Sequence, residues 1–135
     1  MNFSSLIQNI HWLAVIVLTL FSFALGAFWH SRILFGKIWT KENYGEKVPD
    51  KSNAPLMFGG TAFFHLLAMI GLSAVASGQG AMKGLLTGLL IVLVWILPAM
   101  GGTYLFANRS IKLLAVDTGM YLILFAIAGL VMGAW

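Results

Sequence analysis

Residues 109–135 read RSIKLLAVDTGMYLILFAIAGLVMGAW. From Ile111 to Gly133 only Lys112 and Asp117 bring a charge into an otherwise apolar run. A run of about 20 residues, at about 1.5 Å rise each, crosses a hydrocarbon core of about 30 Å. Lipid offers no partner to backbone amides and carbonyls, so the run is expected as a helix. An acid inside such a helix is costly and normally faces the interior of a bundle. The stretch therefore predicts a solvent, which is lipid, and neighbours, which must cover Asp117.

Three more runs share this character: Ile10–Trp29, Leu56–Ser77 and Gly84–Phe106. Composition agrees. Of 135 residues, 60% are hydrophobic and 9% charged, where a soluble domain carries about 45–50% apolar and about 25% charged residues. Mean hydropathy is +0.92. The expectation is an all-α integral membrane four-helix bundle, one transmembrane domain over residues 1–135, with the lipid bilayer as its surroundings. The first run is not expected to be a signal peptide, because residues 1–10 carry no Lys or Arg. The chain has no cysteine, which excludes disulfides and thiolate metal sites. The net charge of +4 does not point to nucleic acid, since the cations lie between apolar runs as they do in membrane proteins.

Orientation follows from those cations. With four spans, residues 32–55 and 107–112 share one side, which holds Arg32, Lys37, Lys41, Lys47, Lys51, Arg109 and Lys112; the other side holds Lys83 alone. The basic side is expected to be cytoplasmic, which places both termini outside and the protein in the cell inner membrane. The long loop, GKIWTKENYGEKVPDKSNAP at 36–55, mixes both charges with Gly45, Pro49 and Pro55. It reads as a connector lying on headgroups, with a short interfacial helix at its start.

Small residues recur on the third run at Gly84, Gly88 and Gly102, with Ile91, Trp95 and Pro98 between them, and on the fourth at Gly119, Ala126, Gly129 and Gly133. Such stripes let helix backbones approach closely in lipid, and internal packing is the preferred reading over an oligomer contact. Pro98 removes a backbone donor and its ring crowds the preceding turn, so a distortion is expected near the Val94 carbonyl.

Polar residues inside the spans are the candidates for function. Asp117 is the most informative, with Arg109, Lys112, His30 and Arg32 as expected partners and a hydroxyl as the alternative. His65 lies near the middle of the second run, where it can hold a ligand or proton, or simply bond a neighbouring helix. His30, Tyr104, Asn108 and Tyr121 cluster toward the same end as Asp117, and together they make one half of the bundle more polar than the other. His11 is assigned to the outer interface, where solvent accounts for it. The scattered methionines read as core filling.

The segment FWHSRILFGKIW at 28–39 carries Trp29, Ser31, Leu34, Phe35, Gly36, Lys37 and Trp39. It resembles the signature of a bacterial membrane family known as domain of unknown function 1761, which has Tyr and Pro where this chain has His30 and Arg32. The last run is similar to the family's last helix through Lys112, Leu113, Asp117, Gly119, Tyr121, Gly129, Gly133, Ala134 and Trp135. The resemblance implies a small four-helix membrane protein and no known reaction. In the residues themselves the first segment reads mostly as a membrane exit, with Trp29 and Trp39 as interface anchors.

No nucleophile with its base, metal-ligand spacing or phosphate loop stands out, so no catalytic residue, metal or cofactor is assigned. The first reading is a non-enzymatic accessory protein or component of a homo-oligomer or larger membrane complex. The alternative is an oligomeric transporter or channel for a small solute, using a cytoplasm-facing polar cavity around Asp117 and His65. The charge count makes one prediction directly: alkaline phosphatase fused after Trp135 should be active, and fused near Asp50 inactive.

Overall fold

The computed structural model describes residues 2–47 and 53–135, and the loop residues Pro49 and Lys51 lie outside them. Among the described residues every regular element is helical: α1 (Phe3–Gln8), α2 (Trp12–Trp29), α3 (Gly36–Tyr44), α4 (Ala54–Ala76), α5 (Ala81–Ile91), a π-helical turn (Val92–Ile96), α6 (Leu97–Phe106) and α7 (Ile111–Ala134). Four of the resulting helices are long and apolar enough to cross a bilayer: α2, α4, the continuous Ala81–Phe106 helix and α7. The protein is a multi-pass membrane protein. Its outward faces are apolar in the way lipid requires, with Leu20, Phe64 and Leu105 each about two-thirds exposed. Trp95 also points outward.

The helix ends follow local chemistry. The Ser110 hydroxyl accepts from the Leu113 amide and caps α7, Asn2 caps α1 in the same way, and Pro55 stands in the first turn of α4, where its missing amide costs nothing. α1, which the sequence reading did not include, precedes the first span. His11 is not explained by solvent. Its Nδ1 accepts from the Ala14 amide at the start of α2, its own amide donates to Ser73 Oγ at 2.8 Å, and its ring lies 4.8 Å from that of Trp135. The first span is thereby tied to α4 and to the end of α7.

Helix packing is uneven along the bundle. In the half nearer the termini, Ala14, Val15 and Leu18 of α2, Met69, Leu72 and Ala76 of α4, Val92, and Leu124, Phe125, Ala128 and Met132 of α7 form one buried cluster. Toward the other end the helices part. No residue of α4 before Met69 is buried, α6 buries only Tyr104, and α2 beyond Ser22 buries only Trp29.

The closed half depends on glycine. A Cβ on Gly84 would strike the Gly129 carbonyl and lie 2.8 Å from the Gly133 Cα, and one on Gly88 would strike the Phe125 carbonyl. The backbones of α5 and α7 therefore touch, the small-residue packing expected in lipid. The turn between α4 and α5 is pinned to the same place, with the Gly80 amide donating to the Gly133 carbonyl at 2.9 Å and the Gly78 amide to the Met132 carbonyl at 3.2 Å. Gly102, grouped with the same stripe in the sequence, meets nothing within 4 Å. The distortion expected near Pro98 takes the form of the π-helical turn just before it. The wider turn accommodates a ring that would otherwise press on the Val94 carbonyl.

Gly84→Ala should therefore lower stability by about 1–3 kcal/mol, the cost of overpacking a closed contact. Gly102→Ala should change it little. Thermal unfolding followed by circular dichroism in dodecyl maltoside separates the two.

Candidate functional site

Two segments far apart in sequence build the open end. At the end of α2 the Trp29 indole donates to the Val116 carbonyl of α7 at 2.9 Å. Its ring lies against Gly119, where a Cβ would come within 3.1 Å of the indole. The chain then reverses. The Phe35 amide donates to the Trp29 carbonyl at 3.1 Å, the Gly36 amide to Ser31 at 2.9 Å, and the Phe35 ring packs 4.5 Å from that of Trp29. At Gly36 any side chain would collide with the His30 and Ser31 carbonyls. α3 thus runs back against α7 and presents Trp39, whose indole donates to Asp117 Oδ1 at 2.9 Å. The motif read as a membrane exit is a fold-back that delivers Trp39 to Asp117.

The other carboxylate oxygen, Oδ2, accepts from the Tyr104 hydroxyl of α6. Both oxygens accept, and each keeps a further lone pair. The basic partners expected for Asp117 do not hold it. The Arg109 guanidinium lies over the Tyr104 ring at 4.7 Å and donates to Asn43. His30 bonds the Gly26 carbonyl through Nδ1 at 2.9 Å and meets Trp39 edge-on at 5.2 Å. Lys112 is exposed, and Arg32 joins Lys37, Lys41 and Thr40 along a separate groove of about 460 Å³ beside α3. The hydroxyl alternative is the one realised, together with an indole. Both are neutral donors that orient the acid without bringing a cation into the bilayer.

Asn108 does not join the site. It is exposed and takes a left-handed conformation, φ 55°, one that Asn tolerates better than most side chains. Its amide donates to the Leu105 carbonyl at 3.2 Å, and the Arg109 amide to the Tyr104 carbonyl at 2.9 Å. That pair of bonds is a Schellman helix ending, and it folds Arg109 back over Tyr104. Asn108 thus positions Arg109 rather than facing the cavity.

Deeper in the bundle, Tyr121 lies one turn, about 6 Å, beyond Asp117 on α7. Its ring is 6.3 Å from that of His65 on α4. His65 Nδ1 is 2.7 Å from Ser22 Oγ. The Ser22 proton is directed to the Thr19 carbonyl at 2.6 Å, which leaves the imidazole Nδ1–H to donate to Ser22. Ser22 and His65 have the spacing of a nucleophile and its base, but Ser22 is fully buried and its proton is engaged elsewhere. The pair joins α2 to α4 and does not form a reactive centre.

His30, His65, Tyr104, Asp117 and Tyr121 all line a single cavity of about 890 Å³ between α2, α4, α6 and α7, together with Ser22, Trp39 and Arg109. The remaining wall is mostly apolar, from Phe23, Met57, Phe58, Met100 and Met120 among others. Met57 and Phe58 are more than half exposed, so the cavity is not sealed along this part of α4. A small number of polar groups in an apolar chamber is the usual composition of a site for a small amphipathic molecule.

If Trp39 acts on Asp117 through their hydrogen bond, Trp39→Phe and Asp117→Asn should not add. The double variant should lose less stability than the sum of the two singles by about 1–3 kcal/mol, measured by thermal unfolding in detergent. Lys112→Ala should shift stability by no more than about 0.5 kcal/mol.

No curated protein and no solved structure matches this chain. The sequence model of a family described as "Protein of unknown function (DUF1761)" matches residues 13–133. The match includes the fold-back at the end of α2 and the α7 helix it clasps as far as Gly133, the two parts that carried most of the resemblance, and the chain belongs to this family.

Proposed function

We propose that the protein is a non-catalytic membrane protein that binds a small amphipathic solute in the chamber between α2, α4, α6 and α7. The observation that carries this reading is the unequal packing of the bundle. A structural or accessory component gains stability from a core closed along its whole length. Here one half is closed by backbone contact of α5 and α7, and the other holds a chamber of about 890 Å³ lined by Ser22, His65, Tyr104, Asp117 and Tyr121 from four different helices. Polar groups inside a membrane protein are expensive and tend to mark ligand or ion sites.

The distribution of cations supports an orientation with the chamber toward the cytoplasmic leaflet of the inner membrane and both termini outside. Four spans are few for a complete transport pathway, so transport of the bound solute would draw on a homo-oligomer or a larger membrane complex. A membrane enzyme acting on a lipid or quinone finds less support, because the aliphatic hydroxyls that line the chamber, Ser22 and Thr61, are each bonded to a backbone carbonyl of their own helix.

Native mass spectrometry in dodecyl maltoside, with decanol as an uncharged probe, tests the reading. The wild-type protein should retain decanol saturably. Ala27→Trp, which fills the chamber wall, should abolish retention while leaving the unfolding temperature near its original value. Retention that is equal in the filled variant would remove the chamber as the binding site.

A further inference from the structure

The binding role proposed above leaves the chemistry of the solute open, and the surroundings of Asp117 constrain it. The carboxylate faces the chamber about six residues, roughly 9 Å, into α7. Every element around it contributes a neutral group or a withdrawn one. α3 gives the Trp39 indole and α6 the Tyr104 hydroxyl. α2 gives His30, whose Nδ1 is taken by the Gly26 carbonyl. α4 contributes Thr61, whose hydroxyl is turned to its own helix at Met57. Lys112, the nearest cation by sequence, is exposed, and Arg109, at the chamber's edge, is exposed too and engaged with Asn43 and the Tyr104 ring. An exposed charge is screened by water and ions. The anion is thus oriented but not neutralised. In a low-dielectric chamber an opposite charge is attracted far more strongly than in water, and the rings of Trp39, Tyr104 and Tyr121 on the same walls favour a cation against their faces.

We propose that the chamber takes an amphiphile with a cationic head, an ammonium or guanidinium, paired with Asp117, its apolar body lying along Phe23, Met57 and Phe58 and leaving toward lipid. A carboxylate that already accepts one bond at each oxygen keeps further lone pairs for the incoming group. An anionic head would meet Asp117 unfavourably and would have to displace Arg109 from Asn43.

The test uses the full-length protein in dodecyl maltoside and three probes sharing a dodecyl chain: the trimethylammonium, the sulfate, and the uncharged triethylene glycol ether. Native mass spectrometry should show the ammonium retained about tenfold more tightly than the ether, the ratio expected of one charge-assisted contact. The preference should vanish in Asp117→Asn and persist in Asp117→Glu. A second measurement needs no variant. Labelling of Asp117 by a hydrophobic carbodiimide should be suppressed by the ammonium and unchanged by the ether. Equal retention of ammonium and ether by the wild type, stronger retention of the sulfate, or labelling that ignores the ammonium would each overturn the cationic head while leaving a binding chamber in place. Retention of none of the probes would remove the binding role as well.

Discussion

Backbone contact between α5 and α7 is the constraint on which the bundle depends. Lipid supplies no hydrophobic force to press helices together, so close approach must come from van der Waals contact over small residues. Gly84 and Gly88 on one helix, with Gly129 and Gly133 on the other, allow that approach, and a Cβ at any of them would strike backbone. Once this pair is closed, Met69, Leu72 and Met132 can fill the adjoining half. Backbone contact over glycine holds the helices at one end only, and their divergence toward the other end is what leaves room for a chamber.

A second device keeps the divergent end from collapsing or spreading further. Trp29 docks on the Val116 carbonyl, the chain reverses over Gly36, and Trp39 returns to Asp117. Tyr104 brings α6 to the same acid. Three elements thus meet on one carboxylate. The two donors are uncharged, so the clasp avoids the desolvation of a second ion that a salt bridge at this depth would require. His65 and Ser22 form a separate tie between α2 and α4 closer to the closed half.

The architecture was largely legible in the sequence, because the length and hydropathy of a span are properties of the chain itself. Asp117 was legible for a similar reason, since an acid among leucines must have neighbours. Its partners were not. Charge complementarity pointed to Arg109 and Lys112, which are close in sequence, whereas the donors are Trp39 and Tyr104, brought in by a chain reversal and by a second helix. Trp39 looked like an interface anchor because nothing local distinguishes a tryptophan facing headgroups from one turned back into a bundle. The clearest available clue was Gly36, a glycine among bulky residues at a place where a plain exit from the membrane requires none. Asn108 was grouped with the chamber by its depth along the chain, yet its left-handed backbone makes it a turn residue. The distortion at Pro98 followed from covalent geometry alone, although its π-helical form did not.

The position of α7 in the chain has a consequence for biogenesis. This helix packs against α2, α3, α4, α5 and α6, and it carries both the glycine face and the acid. It also leaves the ribosome after each of these partners, since synthesis runs from the N-terminus. The earlier spans enter the bilayer with their small faces and the tip of Trp39 unmatched, and they gain their common partner only when α7 arrives. Assembly is therefore concentrated in one late event. A nascent chain that stalls before Ile111 holds three inserted helices but neither the interface nor the clasp that makes them one protein, which marks it as a substrate for membrane quality control.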